Sequence, residues 1–522
     1  MKNLPIGTQS FAKLRNDDSL YVDKTEFIHH LITSGKSFFL SRPRRFGKSL
    51  LVSTLEAIFK GEKNLFDGLY ISTQWNWSQR YPVIRLDFGA INNKTAEDLL
   101  QDMEQVILGI AQNNGIPLMR RGAGSFAELI EKLHQSTGQQ VVILVDEYDK
   151  PITDNLLNIN VANGNRDVLH NFYQVMKATD EHLRFIFLTG VSKFSGVSVF
   201  SGLNNLNDIT LNEKYTSLCG YTQSELESYF SEYIDDVAQH VEMSKEGLLA
   251  AIRTMYDGYS WDGKTSVYNP FSTLLFFENR EFANYWFRTG TPTFLVHLLK
   301  KRNQITPLLE PVIATSISFE SYDPNCIEEL PLLFQTGYLT IKNKVRMNGI
   351  PEYTLEIPNS EVRESLLSHL FHAYSDYPGD RIYSMVSGMQ QNIKNGDVEG
   401  LEQNLRLMLS YIPYELHIKA EAYYHSMLLL WIKMLGFEIQ GQVMTNIGRI
   451  DAVWQLPKQT VVAEIKFHAK KDTDTLLNEA MQQIHDRRYY EPYIDKKVIL
   501  LAVAFTGKEV KCRTSTTLNP FK

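Results

Sequence analysis

The sequence predicts an α/β fold divided among several domains, on three observations. The chain has 522 residues, more than a single hydrophobic core ordinarily organises. Up to about Asp208, short apolar runs alternate with helical stretches, as in a parallel sheet with crossover helices. A second α/β pattern begins near Tyr414, after a long helical interval.

Taken in order, KSFFL, YPVIRLDF, VVILVDEYD and LRFIFLTG each predict a buried parallel strand. The intervals Ser49 to Lys60 and Thr95 to Gln112 predict crossover helices. From Tyr221 to about Trp286 the pattern turns helical and Tyr-rich, which suggests a helical lid whose aromatics, Tyr221 and Trp261 among them, are core. From about Thr291 to Asn359, helices lead into GYLTIKNK and EYTLEIP, a hairpin outline shared by the winged helix and other small α+β units. Residues Glu361 to about Pro413 read as a helical connector. The predicted domains are therefore 1–290, 291–413 and 414–522.

Composition excludes several classes. A hydrophobic fraction of 43% with 22% charged residues fits a folded chain, not a disordered one. The net charge of -7 carries no overall basic excess, so any nucleic-acid surface must be local. Cys219, Cys326 and Cys512 lie far apart, without metal-ligand spacing or a disulfide framework, which suits a reducing compartment. The N-terminus has no apolar signal core, and no apolar run is long enough to span a bilayer. A cytoplasmic protein without a membrane partner is expected.

The segment SFFLSRPRRFGKSLLVSTLEAIF reads strand, loop, helix. Such a loop wraps backbone N–H groups around phosphates and aims a helix N-terminus at them. Gly47 admits the backbone, Lys48 neutralises the terminal phosphates and the Ser49 hydroxyl joins a Mg²⁺ shell. Arg44 and Arg45 are further phosphate-side candidates. The usual G-x-x-x-x-G-K-[ST] spacing puts its first glycine where this chain has Arg42. A helix start with a solvated lysine also produces GKS, so the second element matters. VVILVDEYDK is an apolar strand ending in two acids: Asp146 to hold Mg²⁺ and Glu147 to polarise the attacking water. At the end of FIFLTGVSKF, Thr189 is a candidate γ-phosphate sensor and Lys193 a source of charge; ordinary loop roles suit both better.

Near the C-terminus, GRIDAVWQLPKQTVVAEIKF reads as two strands joined at Pro457-Lys458. Asp451 and Glu464 are equidistant from that turn, so a tight hairpin sets them opposite one another on one face. Lys466, two residues beyond Glu464, shares the face. Two carboxylates and a lysine can bind Mg²⁺ or Mn²⁺, stabilise a pentavalent phosphate and activate water. A surface ion pair gives the same E-x-K pattern. From Val461 to Lys522 there are eleven Lys and Arg against eight Asp and Glu, which permits phosphate contact. His468 and His485 read as surface or packing residues.

The runs YVDKT (Tyr21 to Thr25), SRPRRFGKSL (Ser41 to Leu50), VDEYDKPI (Val145 to Ile152), LTGVSKFS (Leu188 to Ser195), LNNLNDIT (Leu203 to Thr210) and YNPFS (Tyr268 to Ser272) resemble the prokaryotic AAA-ATPase-like family. Its members often carry a C-terminal PD-(D/E)XK nuclease-like domain. The RPRRFGKS form, with Arg42, resembles that family's own pattern. The resemblance implies a P-loop NTPase unit that binds ATP and a restriction-endonuclease-like C-terminal unit. It implies a further metal-side acid at Glu421, on the helix EAYYHSMLLLWIKML. It also assigns AMQQIHDRRYY, with Gln483, Arg487 and Tyr489 on a helix, to the family's Q-I-x-x-[KR]-x-Y segment, where Gln483 orients the lysine or contacts the DNA backbone.

Two functions follow. In the first, ATP hydrolysis is coupled to Mg²⁺-dependent cleavage of DNA, with RNA as the lesser substrate. In the second, a nucleotide-gated regulator binds nucleic acid through an inactive nuclease-like domain. Nucleotide binding without turnover, and assembly into an oligomer, both stay open.

Overall fold

The computed structural model describes residues 1–194, 206–286, 311–366 except 327 and 348, 388–410 except 390, 393, 394 and 396, and 439–517 except 446–447, 457–458, 469 and 507–508. The Glu421 helix and the turn residues Pro457 and Lys458 lie outside the described residues. The chain divides into two compact units, one of residues 1–294 and 312–362, the other of 295–311 and 363–522.

The first unit opens with α1 (Phe11–Asn16) and α2 (Thr25–Ser34). It continues through β1 (Ser37–Ser41), α3 (Lys48–Phe59), β2 (Val83–Asp87), α4 (Ala96–Asn113), α5 (Ala123–Thr137) and β3 (Val141–Asp146). Next come α6 (Lys150–Thr153), α7 (Ile159–Ala178), β4 (Leu183–Gly190) and β5 (Asn207–Asp208). The strands form one sheet in the order β2-β3-β4-β1-β5, and every pairing is parallel. β1 and β3 are buried along their whole length, as their unbroken apolar runs require. The fifth strand comes from LNNLNDIT, which is too polar to announce itself as a strand.

The lid follows as α8 (Gln223–Tyr229), α9 (Ser231–His240), α10 (Lys245–Tyr256) and α11 (Pro270–Asn279). Its core gathers Phe230, Ile234, Leu248, Tyr256 and Phe276, together with Leu20 and Val22 from the N-terminal segment. The YVDKT run makes that junction: Lys24 Nζ meets both Glu225 oxygens at 2.6 and 2.7 Å. Glu225 also closes a capping box with Thr222 at the start of α8. In YNPFS, Asn269 caps α11 by accepting the Ser272 N–H at 3.0 Å, with Pro270 at the first helical position.

Residues 312–362 belong to the first unit, although the sequence placed them in a middle domain beginning at 291. They contain β6 (Val312–Ala314), α12 (Glu329–Thr336), β7 (Thr340–Met347) and β8 (Ile350–Glu356). The expected hairpin is present, widened to an antiparallel sheet in the order β6-β8-β7. The physical reason for their placement is long-range hydrogen bonding between side chains and backbone. Thr340 exchanges side-chain bonds with the Ser260 backbone at 2.7 and 3.0 Å, and Gln335 accepts the Lys193 N–H at 2.9 Å.

In the second unit, α13 (Val398–Ser410) precedes β9 (Ile439–Thr445), β10 (Gly448–Leu456) and β11 (Gln459–Phe467). Then come α14 (Thr473–Asp486), β12 (Lys497–Phe505) and β13 (Val510–Thr517). The strand order is β13-β12-β11-β10-β9, with β11 and β12 parallel and the other pairs antiparallel. The two α/β patterns thus form separate sheets. α14 lays Leu476, Leu477, Ala480 and Ile484 on the buried face of that sheet. Among the described residues, no helix is long and apolar enough to cross a membrane.

Candidate functional site

The first site lies at the C-terminal ends of the parallel strands, where open α/β sheets place ligands. β1 leads through residues 42–47 to α3, whose N-cap is Gly47 at φ +86. That left-handed value is one a glycine takes without steric cost. Arg45 at φ +69 also adopts the left-handed region, so the loop turns sharply into the helix. A cavity of about 670 Å³ opens beside it, lined by Arg44, Arg45, Gly47, Lys48, Ser49 and Glu147, among others.

Lys48 is buried, and its ammonium donates to the Arg42 and Pro43 carbonyls at 3.0 and 2.9 Å. Burial lowers its pKa, while Asp146, Asp149 and Glu147 act to raise it. Asp146 ends β3 and is 1% exposed. Burial raises its carboxyl pKa; Ser49 and Lys48 oppose that, and Asp87 and Glu147 reinforce it. Its Oδ1 accepts the Glu147 N–H at 3.0 Å, whereas Oδ2 is buried without a hydrogen-bond partner. A buried carboxylate oxygen lacking a donor, beside a hydroxyl and a lysine, suits a divalent cation. Glu147 leaves the strand at φ +52, a strained value for a non-glycine residue, and lines the cavity.

Asp87 escaped the sequence reasoning. It ends β2 and stands in register with Asp146. A β-carbon at Gly89 would lie 2.9 Å from Asp87 Oδ1 and 3.0 Å from Glu147 Oε2, so the two carboxylates flank that glycine closely. The available signal was a second parallel strand ending in an acid. Asp149 was also missed. It is buried and accepts the Val191 and Ser192 N–H groups at 3.2 and 2.7 Å, tying β3 to the exit of β4.

The remaining candidates divide between the cavity and the structure around it. Thr189 points at β1, donating its hydroxyl to Leu40 O at 2.8 Å, and is not on the cavity wall. Lys193 pairs with Asp208 at 2.6 Å. Arg44 and Arg45 are exposed at the cavity rim, and the Arg45 guanidinium lies 4.6 Å from the Phe271 ring centre. Trp261 is core, as expected, while Tyr221 is half-buried on the cavity wall.

The second site is on the β10–β11 hairpin. The ladder pairs Leu456 with Gln459 and runs to Ala452 with Ala463. That register continues to Asp451 opposite Glu464. There the Asp451 Oδ2 accepts the Ile465 N–H at 2.8 Å, taking the place of a ladder bond. Glu464 is 1% exposed and accepts from Lys466 Nζ at 2.7 Å. Gln483 donates to the Tyr489 hydroxyl at 3.4 Å. The helix carrying it stops at Asp486, and Arg488 turns the chain at φ +45. Arg487 and Tyr489 are therefore not on the helix as expected, and the Tyr489 ring enters the core of this unit. His468 Nδ1 caps the turn N–H groups of Lys470 and Lys471, and His485 packs edge-on to Tyr490.

Among the described residues, no group of three or more His, Cys, Asp or Glu side chains is arranged to hold a metal.

The pattern of the family described as "Predicted AAA-ATPase" matches residues 5–200, and that of the PD-(D/E)XK nuclease superfamily matches residues 419–515. A protein of Azotobacter chroococcum mcd 1, described as "Uncharacterized protein in vnfD 5'region", is 40% identical over 514 residues, covering 97% of this chain and 96% of its own length. With the phosphate loop, the strand-end acids and the carboxylate–lysine hairpin in place, the chain belongs to the predicted AAA-ATPase family and carries a C-terminal domain of the PD-(D/E)XK nuclease superfamily.

Proposed function

We propose that the first unit binds and hydrolyses ATP with Mg²⁺, and that its nucleotide state governs DNA cleavage by the second. The observation that supports this best is the convergence of Lys48, Ser49 and Glu147 on one cavity, with buried Asp146 behind them. Lys48 and the N–H groups at the start of α3 take the phosphate charge. Ser49 and Asp146 would hold Mg²⁺, which when bound would supply charge neutralisation for the phosphates. Glu147 accepts the proton of the attacking water as ADP leaves. On the hairpin, Asp451 and Glu464 would hold a divalent ion, which would supply Lewis-acid activation of water, and Lys466 balances charge on the scissile phosphate.

One observation favours a second function. Lys466 is already engaged by Glu464, as in an ordinary ion pair, and on that basis the C-terminal unit binds nucleic acid without cutting it. Phosphate release by purified protein tests the first step. Steady turnover by wild type that is absent in both Lys48→Ala and Glu147→Gln supports the ATPase assignment. Equal turnover in all three refutes it.

A further inference from the structure

The loop departs from the usual spacing at Arg42, where a glycine is ordinarily found. We propose that Arg42 is a positioning residue: it fixes the phosphate loop by clamping its first turn to the segment that follows β5 and to Trp261 of the lid, so that nucleotide affinity depends on both through this side chain. This rests on the ATP-binding function proposed above.

The Arg42 backbone and side chain work in opposite directions. Its N–H bonds Gly190 O at 3.2 Å, extending the β1–β4 pairing, and its carbonyl holds Lys48 Nζ at 3.0 Å. Its guanidinium, fully buried, donates to Ser41 O at 2.8 Å, Thr210 O at 2.9 Å and Tyr215 O at 3.2 Å. The Trp261 ring centre lies 3.9 Å from it. Burying a guanidinium is unfavourable unless its donors are satisfied and its face is covered. Three carbonyls accept from its two terminal nitrogens and an indole covers its face, while Nε alone is buried without an acceptor.

The rest of the loop is held from the same side. Gly337 sits against Pro43, where a β-carbon would approach to 2.8 Å. Trp286 Nε1 donates to Arg44 O at 3.1 Å, and Phe46 meets Trp261 edge-on at 5.5 Å. These contacts fix a loop that a glycine at its first position would leave freer. A glycine at 42 would also leave the Thr210 and Tyr215 carbonyls without this donor and open a void beside Trp261. Restoring the usual residue is therefore expected to harm binding.

The test compares MgADP affinity by calorimetry and ATPase kinetics for wild type, Arg42→Gly, Arg42→Lys, Trp261→Phe and Lys48→Ala. Thermal melting of each apoprotein monitors the fold. Arg42→Gly should raise the MgADP Kd and the ATP KM by about tenfold or more, the loss expected on losing charged hydrogen bonds that shape the loop. The kcat at saturation should change less than about threefold, because Asp146 and Glu147 stand on a different strand. Arg42→Lys and Trp261→Phe should shift both constants in the same direction by less. If Arg42→Gly does not fold, these two milder variants decide. Wild-type affinity in every folded Arg42 and Trp261 variant, with Lys48→Ala impaired, overturns this proposal alone. A wild-type protein that binds no nucleotide overturns the ATP-binding function and this proposal together.

Discussion

On the proposed function nucleotide affinity turns on Lys48, a buried cation on the cavity wall beside the loop. Lys48→Ala should weaken ATP binding by roughly 10- to 100-fold, the value of a charged hydrogen bond to phosphate. Glu147→Gln should leave affinity within about threefold and slow hydrolysis by roughly 100-fold or more, as expected for a lost general base. Calorimetry and phosphate release separate these outcomes. Asp146 allows a test by pH. Burial raises its carboxyl in the folded apoprotein. A raised acid stabilises the fold at pH below its unfolded value of about 4, and that contribution is lost as pH rises through the folded pKa. Asp146→Asn should therefore melt higher than wild type at pH 7, with the difference shrinking toward pH 4, while losing Mg²⁺-dependent nucleotide binding. Equal melting temperatures across that range would contradict the buried-charge assignment. GKS was legible from the strand, loop and helix pattern around it, and DE from the apolar run that it ends. Thr189 was not, because which side of a central strand a hydroxyl faces depends on its neighbours. Nor was the structural use of Arg42, whose partners Thr210, Tyr215 and Trp261 are remote in sequence.

Among the elements, the β10–β11 hairpin carries the most information. Its register was readable from symmetry about Pro457-Lys458, since strand pairing by twos fixes which side chains share a face. The ladder's end was not readable, because it depends on the Asp451 carboxylate taking the Ile465 N–H. That contact shapes the test. Asp451→Asn keeps an acceptor for Ile465 while removing the charge. It should preserve the melting temperature within a few degrees and reduce metal-dependent cleavage by roughly 100-fold or more, as for a lost metal ligand. Cleavage undiminished in that variant would mean that Asp451 serves only the hairpin. The helix α14 shows the opposite limit. Its apolar spacing announced the helix, yet nothing in DRRYY marked the stop at Asp486, which is made by Arg488 entering a left-handed turn.

For the whole molecule, the sequence located two α/β units but misplaced the segment between them. Residues 312–362 join the first unit through pairings such as Ser260 with Thr340, which no local composition reveals. No low-complexity linker marks the change of unit. Limited proteolysis should release a C-terminal fragment beginning between 363 and 414, beyond the last residue of the first unit. Release of an intact 312–362 fragment on its own would contradict the division. In the proposed function, one chain joins an ATPase to a metal-dependent nuclease. Incubating purified wild type, Glu147→Gln and Asp451→Asn with plasmid, linear DNA and RNA tests it most directly, with Mg²⁺ or Mn²⁺ and with or without ATP. The expected result is metal-dependent DNA cleavage by wild type, a rate that changes with ATP, an altered ATP response in Glu147→Gln and no cleavage by Asp451→Asn. Intact substrate under every metal and nucleotide condition, from a protein that still turns over ATP, would contradict it.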